Sequence, residues 1–223
     1  MRMNSPILKI IMFSYICTLG CSCNHSHHEN DLQEGDLLFQ DLNCGDLCNA
    51  IKAVTEGVNG KDFSHCAIVV NMKDTLKVVE AIGDKVQINS LSNFFARSGD
   101  TPNIKNITIA RVKHQFEPLI NNAVNFAKQQ VGKPYDDEFL LDNGKWYCSE
   151  LLFQAFKEAN NKQAFFDLEP MTFKDPKTKA FFPAWVDYYT QLDKEIPEGE
   201  QGINPGLISR SDKIQIINIV NFK

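Results

Sequence analysis

The sequence predicts a single domain that mixes antiparallel β-strands with amphipathic helices. Three observations support this prediction: a β-rich hairpin over residues 64–81, an amphipathic helix over residues 116–131, and a second helix that begins at Cys148. With 223 residues, of which 43% are hydrophobic, the chain can form one sizeable core. We place the folded domain at residues 31–223 and consider the first 30 residues separately.

Residues 1–20 resemble a bacterial lipoprotein export signal. Arg2 and Lys9 supply positive charge, and the apolar stretch at residues 7–19 is too short to anchor stably across a bilayer. The stretch ends in Thr18-Leu19-Gly20-Cys21, which is similar to a lipobox with threonine in place of the usual leucine. This resemblance implies that Cys21 is lipidated, which makes the protein an exported lipoprotein that faces the periplasm or lies on the outer envelope membrane.

Two alternatives for this segment stay open. Cys23 is a second candidate for lipidation, and an ordinary secretory signal cleaved nearby would leave no lipid. Residues 21–30 are polar and contain His25, His27 and His28, a composition that can bind metal. Because no cysteine or carboxylate framework completes a site, we expect a flexible tether and no metal or other cofactor.

The charge of the mature chain excludes some partners. Without Arg2 and Lys9, 21 basic and 28 acidic side chains remain, a net charge of −7. Nucleic acid is therefore not an expected partner, and neither is an anionic membrane surface apart from the lipid anchor. We expect a monomer or a small homo-oligomer.

The remaining elements follow from periodicity and turn residues. The sequence predicts a strand at residues 35–39, a helix from Asn43 to about Glu56, hairpin strands at 64–70 and 76–81, a short helix at 90–97, a strand at 107–112, the helices beginning at 116, 148 and 183, a Pro/Gly-rich segment at 196–206 and a last strand at 214–220. The aromatic residues around 165–166 and 181–189 are expected in core packing.

Four cysteines remain in the predicted domain: Cys44, Cys48, Cys66 and Cys148. Cys44 and Cys48 are four residues apart on a predicted helix, a spacing that does not favour disulfide geometry. Cys66 lies on the strand that follows His65 and should point into the core as a structural cysteine. The sequence forces no disulfide bond.

Cys148 is the candidate nucleophile. The stretch Lys145-Trp146-Tyr147-Cys148-Ser149-Glu150 delivers it to the first turn of a helix, where backbone N–H groups and the helix dipole favour a thiolate. The same N–H groups can stabilise an oxyanion, although a second donor is not identifiable from the sequence. The alternative is a small buried residue without chemistry.

A cysteine nucleophile needs a base, and two histidines are available to the predicted domain. His114 follows a strand in a polar context that indicates exposure. His65 begins a hairpin strand, and an even-numbered turn places Glu80 on its face: a two-residue loop at Met72-Lys73 puts them directly opposite, and a four-residue loop makes them diagonal neighbours. Glu80 would then orient the imidazole of His65, which would be the base.

Glu150 is a competing orienting acid. It lies two residues after Cys148 on the predicted helix, so the two side chains point in different directions. We expect Glu150 to support the N-terminal end of the helix.

The order of these motifs resembles that of circularly permuted papain-like cysteine hydrolases of the YiiX type, relatives of the NlpC-type cell-wall peptidases. The landmarks cover about residues 33–156, and residues 205–208 fit loosely. They are Gly35-Asp36-Leu37-Leu38-Phe39, Phe63-Ser64-His65, Val79-Glu80-Ala81, Gly132-Lys133-Pro134-Tyr135-Asp136 and Tyr147-Cys148-Ser149-Glu150.

The resemblance implies an α+β, permuted papain-like fold, in which a small antiparallel barrel-like sheet packs on a helical lobe. It also implies a Cys148–His65–Glu80 triad. Tyr135 and Asp36 match family motifs and are candidates to line or support the cleft, as is Tyr147, although loop packing explains Tyr135 and a turn contact explains Asp36 equally well.

We expect a membrane-tethered cysteine hydrolase that cleaves an amide bond in a cell-wall peptide or another small amide. Two alternatives remain. A lipid-acting acyltransferase or esterase of the lecithin:retinol acyltransferase type would carry a lipid acyl group on Cys148. A lipoprotein that binds a ligand without catalysis is the other alternative, but the intact set of Cys148, His65 and Glu80 opposes it.

Overall fold

The computed structural model describes residues 31–42, 44–98 and 107–217. The predicted export signal, Cys21, the histidine-containing tether and Asn43 lie outside the described residues. No helix in the described ranges is long and apolar enough to cross a membrane.

Strands and helices alternate irregularly along the described chain. In order they are β1 Leu37–Gln40, α1 Asp46–Val54, β2 His65–Met72, β3 Thr75–Ile82, β4 Lys85–Ser90, α2 Leu91–Phe95, β5 Thr108–Val112, α3 Ile120–Gln129, α4 Cys148–Ala159, β6 Glu169–Pro170, α5 Pro183–Leu192, β7 Gln201–Gly202, α6 Pro205–Ser209 and β8 Ile214–Ile217. Short 3₁₀ turns occupy Val58–Gly60 and His114–Leu119.

Six strands form one antiparallel sheet in the order β4-β3-β2-β1-β5-β8, and β6 pairs with β7 in a separate ladder. The β2–β3 turn consists of Lys73 and Asp74, both with positive φ (52° and 63°). Positive φ at both central residues is typical of a type I′ turn, whose twist matches that of the strands it joins. This turn sets the register of the strand that carries His65.

The main core lies between one face of the sheet and helices α3 and α4. Alternation along β2 places Cys66, Ile68 and Val70 in this core, where they pack with residues of α4 such as Leu151 and Phe156. Ala67 and Val69 point to the opposite face and pack with Phe94 of α2. Consequently α4 lies across the face of the sheet that carries Cys66.

A smaller cluster joins α1 to α5. Ala50 packs with Phe173, Trp185 and Tyr189, all of them buried. Phe165 and Phe166 belong to the main core. Most aromatic side chains of these stretches therefore pack in the core, as the sequence predicted, whereas Phe181 is exposed. The cluster at α1 and α5 forms a second, helical part of the domain.

Cys44 and Cys48 form a disulfide bond, although their spacing in the sequence did not favour one and their pairing was left open. The spacing argument placed both cysteines on a helix beginning near residue 43. Instead, Gly45 immediately precedes α1 with a φ of 77°, a left-handed conformation that suits glycine. Cys44 therefore lies outside the helix, and its Cα is 5.2 Å from that of Cys48, within the range that a disulfide spans.

Three elements differ from the sequence-based prediction. Strand β4 was not predicted, and the predicted helix at 116–131 begins only at Ile120, after a 3₁₀ turn that contains Pro118. Helix α6 lies in the segment expected to be irregular; the side chain of Asn204 caps it by accepting a hydrogen bond from the N–H of Leu207. Pro205 at its first position was a start signal, but a five-residue helix shows little periodicity.

Candidate active site

Cys148 is the first residue of α4, as predicted. The preceding residue, Tyr147, is extended (φ −89°, ψ 166°), so the chain turns into the helix at the cysteine. The side chains on either side of Cys148 both bind the backbone of Ile203. The Tyr147 hydroxyl accepts a hydrogen bond from the N–H of Ile203 (3.3 Å), and the Ser149 hydroxyl donates one to the Ile203 carbonyl (2.9 Å). The segment just before α6 is thereby attached to the start of α4.

His65, the first residue of β2, lies between Glu80 and Cys148. Its Nε2 is 2.6 Å from Oε2 of Glu80, and its ring also hydrogen-bonds the Cys148 side chain. Since Nε2 contacts Glu80, Nδ1 is the ring nitrogen available to the sulfur. Burial alone would lower the pKa of His65, but the hydrogen bonds to Cys148 and Glu80 raise it to about 9.

The register of the hairpin explains the His65–Glu80 contact. The loop is two residues long, but it consists of Lys73 and Asp74, one position later than Met72-Lys73. Ile68 therefore pairs with Val79, and Glu80 becomes a diagonal neighbour of His65. The prediction that both side chains share a face is confirmed, whereas direct opposition, which the earlier loop position would have given, does not occur.

Glu80 is fully buried and both of its oxygens have partners. Oε2 contacts His65, while Oε1 accepts hydrogen bonds from Asn89 Nδ2 (2.8 Å) and Arg97 Nη2 (2.5 Å). Burial opposes ionisation, but the bond to His65 and the charge of Arg97 bring the pKa of Glu80 below its ordinary value. Glu80 is therefore an anion that can hold His65 in one orientation and stabilise its protonated form.

Cys66 contacts Cys148 directly. The Cys66 thiol and backbone N–H both hydrogen-bond the Cys148 sulfur. The thiol contact is the largest cause that lowers the pKa of Cys148; burial opposes it, and His65 adds to it. Cys66 is fully buried in the core, as predicted, but its role as a hydrogen-bond donor to Cys148 was not predicted.

We expect Cys66→Ala to reduce the thiolate fraction of Cys148, because the substitution removes a hydrogen-bond donor from the charged form. The rate of Cys148 alkylation at pH 6 should fall about 3- to 10-fold. Cys66→Ser keeps a donor and should stay close to the wild-type rate. Equal rates for the two variants would show that Cys66 only fills space, and mass spectrometry of the labelled peptide provides the measurement.

Cys148 lines a cavity of about 220 Å³. Most of its walls are aromatic or aliphatic, and they come from α1, the 135–149 segment, the 169–173 segment, α5 and the chain before α6. The lining side chains include Ile51, Val54, Tyr135, Phe139, Tyr147, Cys148, Glu169, Met171, Phe173, Trp185 and Ile203. The thiol of Cys148 is thus placed beside a small, mainly apolar space.

Tyr135 and Tyr147 line this cavity, and Asp36 does not. Burial and the nearby Cys148 raise the pKa of Tyr135, so its hydroxyl stays protonated. Asp36 is fully buried and accepts two hydrogen bonds from Arg111, Nε to Oδ1 (2.7 Å) and Nη2 to Oδ2 (2.9 Å). Since Asp36 precedes β1 and Arg111 lies on β5, this ion pair supports the sheet.

The two competing candidates, His114 and Glu150, occupy other positions. His114 has a 95% exposed side chain and contacts Glu117 at 3.1 Å. Glu150 is fully buried and accepts a hydrogen bond from the N–H of Asp142 (3.3 Å). Burial and the neighbouring Asp136 raise the pKa of Glu150 to about 8. Glu80, and not Glu150, is therefore the acid that contacts His65.

The sequence analysis missed Asn89, Arg97 and the Cys66 contact. Asn89 had a recoverable signal: with β4 recognised, it pairs with Val78, two residues from Glu80 and on the same face. Arg97 follows α2 and reaches Glu80 through the tertiary fold, which no local pattern predicts.

Comparison with known proteins relates this chain to a known family. Residues 31–218 match the sequence profile of a family described as permuted papain-like amidase enzyme, YaeF/YiiX, C92 family. The uncharacterized protein YiiX of Escherichia coli K12 is 27% identical over 132 residues, which cover 57% of this chain and 58% of YiiX. The chain thus matches somewhat more than half the length of this curated relative.

A crystal structure of YiiX from Escherichia coli O157:H7 shows the same fold. It matches 83% of this chain and 96% of its own, with a TM-score of 0.67 and 22% identity. The predicted α+β, permuted papain-like fold is confirmed. That YiiX is described as a metalloprotein; in the described part of this chain, no three His, Cys, Asp or Glu side chains converge to hold a metal ion. The donor set of the described residues therefore does not fit a metal.

Proposed function

Since the chain belongs to the C92 family of permuted papain-like amidases, we propose that it hydrolyses an amide bond with Cys148 as nucleophile, His65 as general base and acid, and Glu80 as the residue that orients His65. The continuous set of hydrogen bonds from Cys148 through His65 to Glu80, at the N-terminus of α4 and beside a cavity, carries this proposal. The description of the family as permuted papain-like amidases supports the proposed enzyme class, and the hydrogen bonds of the site support the proposed residue roles.

The reaction follows from this geometry. The Cys148 thiolate attacks the amide carbonyl carbon, and the resulting oxyanion lies near the backbone N–H groups at the start of α4. Protonated His65 donates its proton to the amine as the carbon–nitrogen bond breaks, leaving a thioester on Cys148. Neutral His65 then takes a proton from water as the water oxygen attacks the thioester, and the carbon–sulfur bond breaks to release the acid product. This step leaves Cys148 as a thiolate and His65 protonated, which is the state that began the cycle.

The cavity favours a small substrate over a lipid. Pockets for drug-sized ligands have volumes of about 300–1,000 Å³, whereas this one has about 220 Å³. It has room for one side chain or a short acyl group beside Cys148. We therefore propose a short peptide, such as one from the cell wall, or another small amide as substrate, in preference to a long-chain lipid.

We also propose that the enzyme is exported and tethered through a lipid on Cys21. The lipobox-like sequence Thr18-Leu19-Gly20-Cys21 supports this location. A further observation agrees with it: Cys44 and Cys48 are joined by a disulfide bond, and disulfides persist mainly outside the reducing cytosol.

The experiment is to incubate the purified protein separately with wall-derived peptides, with small amides and with phospholipids. We expect amine release from peptides or amides and a transient acyl adduct on Cys148, observed as an added mass on the peptide that contains this residue. An adduct formed only with phospholipid would support the lipid-acting alternative and contradict the proposed substrate class. Absence of any adduct or turnover would favour a ligand-binding role.

A further inference from the structure

Glu169 differs from the other side chains around the cavity. Apart from Cys148, it is the one side chain with a formal charge among the described residues that line this space. Glu169 is exposed, and its carboxylate forms no hydrogen bond or ion pair with any described residue. Pockets usually hold a few polar groups that fix the orientation of a ligand, and an unpaired carboxylate beside an apolar cavity selects a cationic group.

The backbone connects Glu169 to the start of α4. Glu169 pairs with Gly202 in the β6–β7 ladder, and Gly202 also lines the cavity. The next residue, Ile203, is held by hydrogen bonds to Tyr147 and Ser149, the two neighbours of Cys148. The carboxylate is therefore carried on a segment whose position depends on the same helix start as the nucleophile.

Aromatic rings form much of the remaining wall. Tyr135, Phe139, Tyr147, Phe173 and Trp185 all line the cavity. The rings also pack against one another: Phe173 meets Trp185 edge to face with centroids 5.0 Å apart, and Phe139 meets Trp185 at 5.6 Å. Aromatic faces attract ammonium groups through their quadrupole, and the effect grows when the cation is desolvated.

We infer that the substrate is a compact amide that also carries an ammonium group, which Glu169 and the aromatic wall bind while Cys148 attacks the amide carbon. This inference rests on the proposed function and specifies its substrate class. The cavity volume of about 220 Å³ suits a small group beside Cys148. Glu169 is then the residue that determines specificity for charge.

Two sources of ammonium fit this chemistry: the α-ammonium of a peptide N-terminus and the ammonium of a basic side chain. Three primary amides distinguish these two sources, and the hydrolysis of each is measured as released ammonia. L-alaninamide has an α-ammonium, N-acetyl-L-lysinamide has a side-chain ammonium, and N-acetyl-L-alaninamide has neither. We expect kcat/KM to be at least about 10-fold higher for one of the two charged amides than for the neutral one. Glu169→Gln should remove most of this preference, whereas Glu158→Gln, at an exposed position outside the cavity lining, should keep it.

A second measurement tests the charge of the cavity without substrate hydrolysis. Cys148 is labelled with cationic 2-trimethylammonioethyl methanethiosulfonate and with anionic 2-sulfonatoethyl methanethiosulfonate, and the two rates are compared. We expect the cationic reagent to react faster, and Glu169→Gln should lower the cation-to-anion rate ratio about 3- to 10-fold. Glu158→Gln, which removes an exposed carboxylate from α4 that does not line the cavity, is the matched control and should leave the ratio unchanged.

The outcomes distinguish the inference from the proposed function. Fast labelling of Cys148 with a ratio that Glu169→Gln does not change, or equal hydrolysis of charged and neutral amides, overturns the ammonium inference and leaves the nucleophile in place. A Cys148 that reacts slowly with both reagents at neutral pH contradicts the proposed function itself. Loss of the charge preference in Glu169→Gln, but not in Glu158→Gln, supports the inference.

Discussion

His65→Ala is expected to lower kcat/KM for amide hydrolysis about 10³-fold, because the variant cannot protonate the leaving amine or activate water. His65 is buried between Glu80 and Cys148, and no other histidine of the described residues lies in the site. His114→Ala is the matched control, since it removes an exposed imidazole that contacts Glu117. It should retain wild-type activity and stability.

His65→Ala also leaves a cavity beside a buried carboxylate, so its stability must be measured by thermal unfolding. Cys148→Ala provides a second test that leaves the His65–Glu80 pair intact. Both single variants and the double variant should show similar residual activity, because residues that act as a unit are not additive. Substantial activity in a folded His65→Ala protein would contradict the assignment of the base.

Glu80→Gln is expected to lower kcat about 10²-fold or more, because glutamine does not stabilise the protonated imidazole and can favour the wrong tautomer. It should also shift the pH profile. The hydrogen bonds to Cys148 and Glu80 raise the pKa of His65 to about 9, so the wild-type activity should decline on the alkaline side near that pH. Without the anion, the imidazolium loses its proton at lower pH, and the alkaline limb should move downward.

Glu150→Gln is the control for this substitution. Glu150 is equally buried, but it does not contact His65, and its pKa is raised to about 8, so glutamine resembles its protonated form. The alkaline limb of the pH–activity profile of Glu150→Gln should match that of the wild type. If Glu80→Gln left the limb in place, Glu80 would have a structural role only.

The sequence predicted the central residues because their positions follow from local geometry. Cys148 lies at a loop-to-helix boundary, and strand alternation with an even turn puts His65 and Glu80 on one face. Neither argument needs long-range contacts beyond one hairpin. The exact pairing was not predictable, since the same residues allow a two-residue turn at Met72-Lys73 or one residue later, and the structure has the later turn.

The surroundings of the site depend on the tertiary fold and were missed for that reason. Arg97 reaches Glu80 across 17 residues of sequence, and Glu169 borders the cavity only because β6 pairs with β7. Cys66 was correctly placed in the core, yet its contact with Cys148 depends on how α4 packs against β2. The spacing argument disfavoured a bond between Cys44 and Cys48 because it placed the helix start before Cys44, whereas α1 begins at Asp46.

The pH dependence of Cys148 alkylation by iodoacetamide tests the central claim most directly. The contacts with Cys66 and His65 lower the pKa of Cys148, so the thiolate should persist well into acidic solution. We predict a rate profile whose midpoint lies well below the ~8.5 of a free thiol, with Cys148 reacting far faster than the buried Cys66 at pH 6. A midpoint at or above that of a free thiol would contradict the assignment of Cys148 as an activated nucleophile.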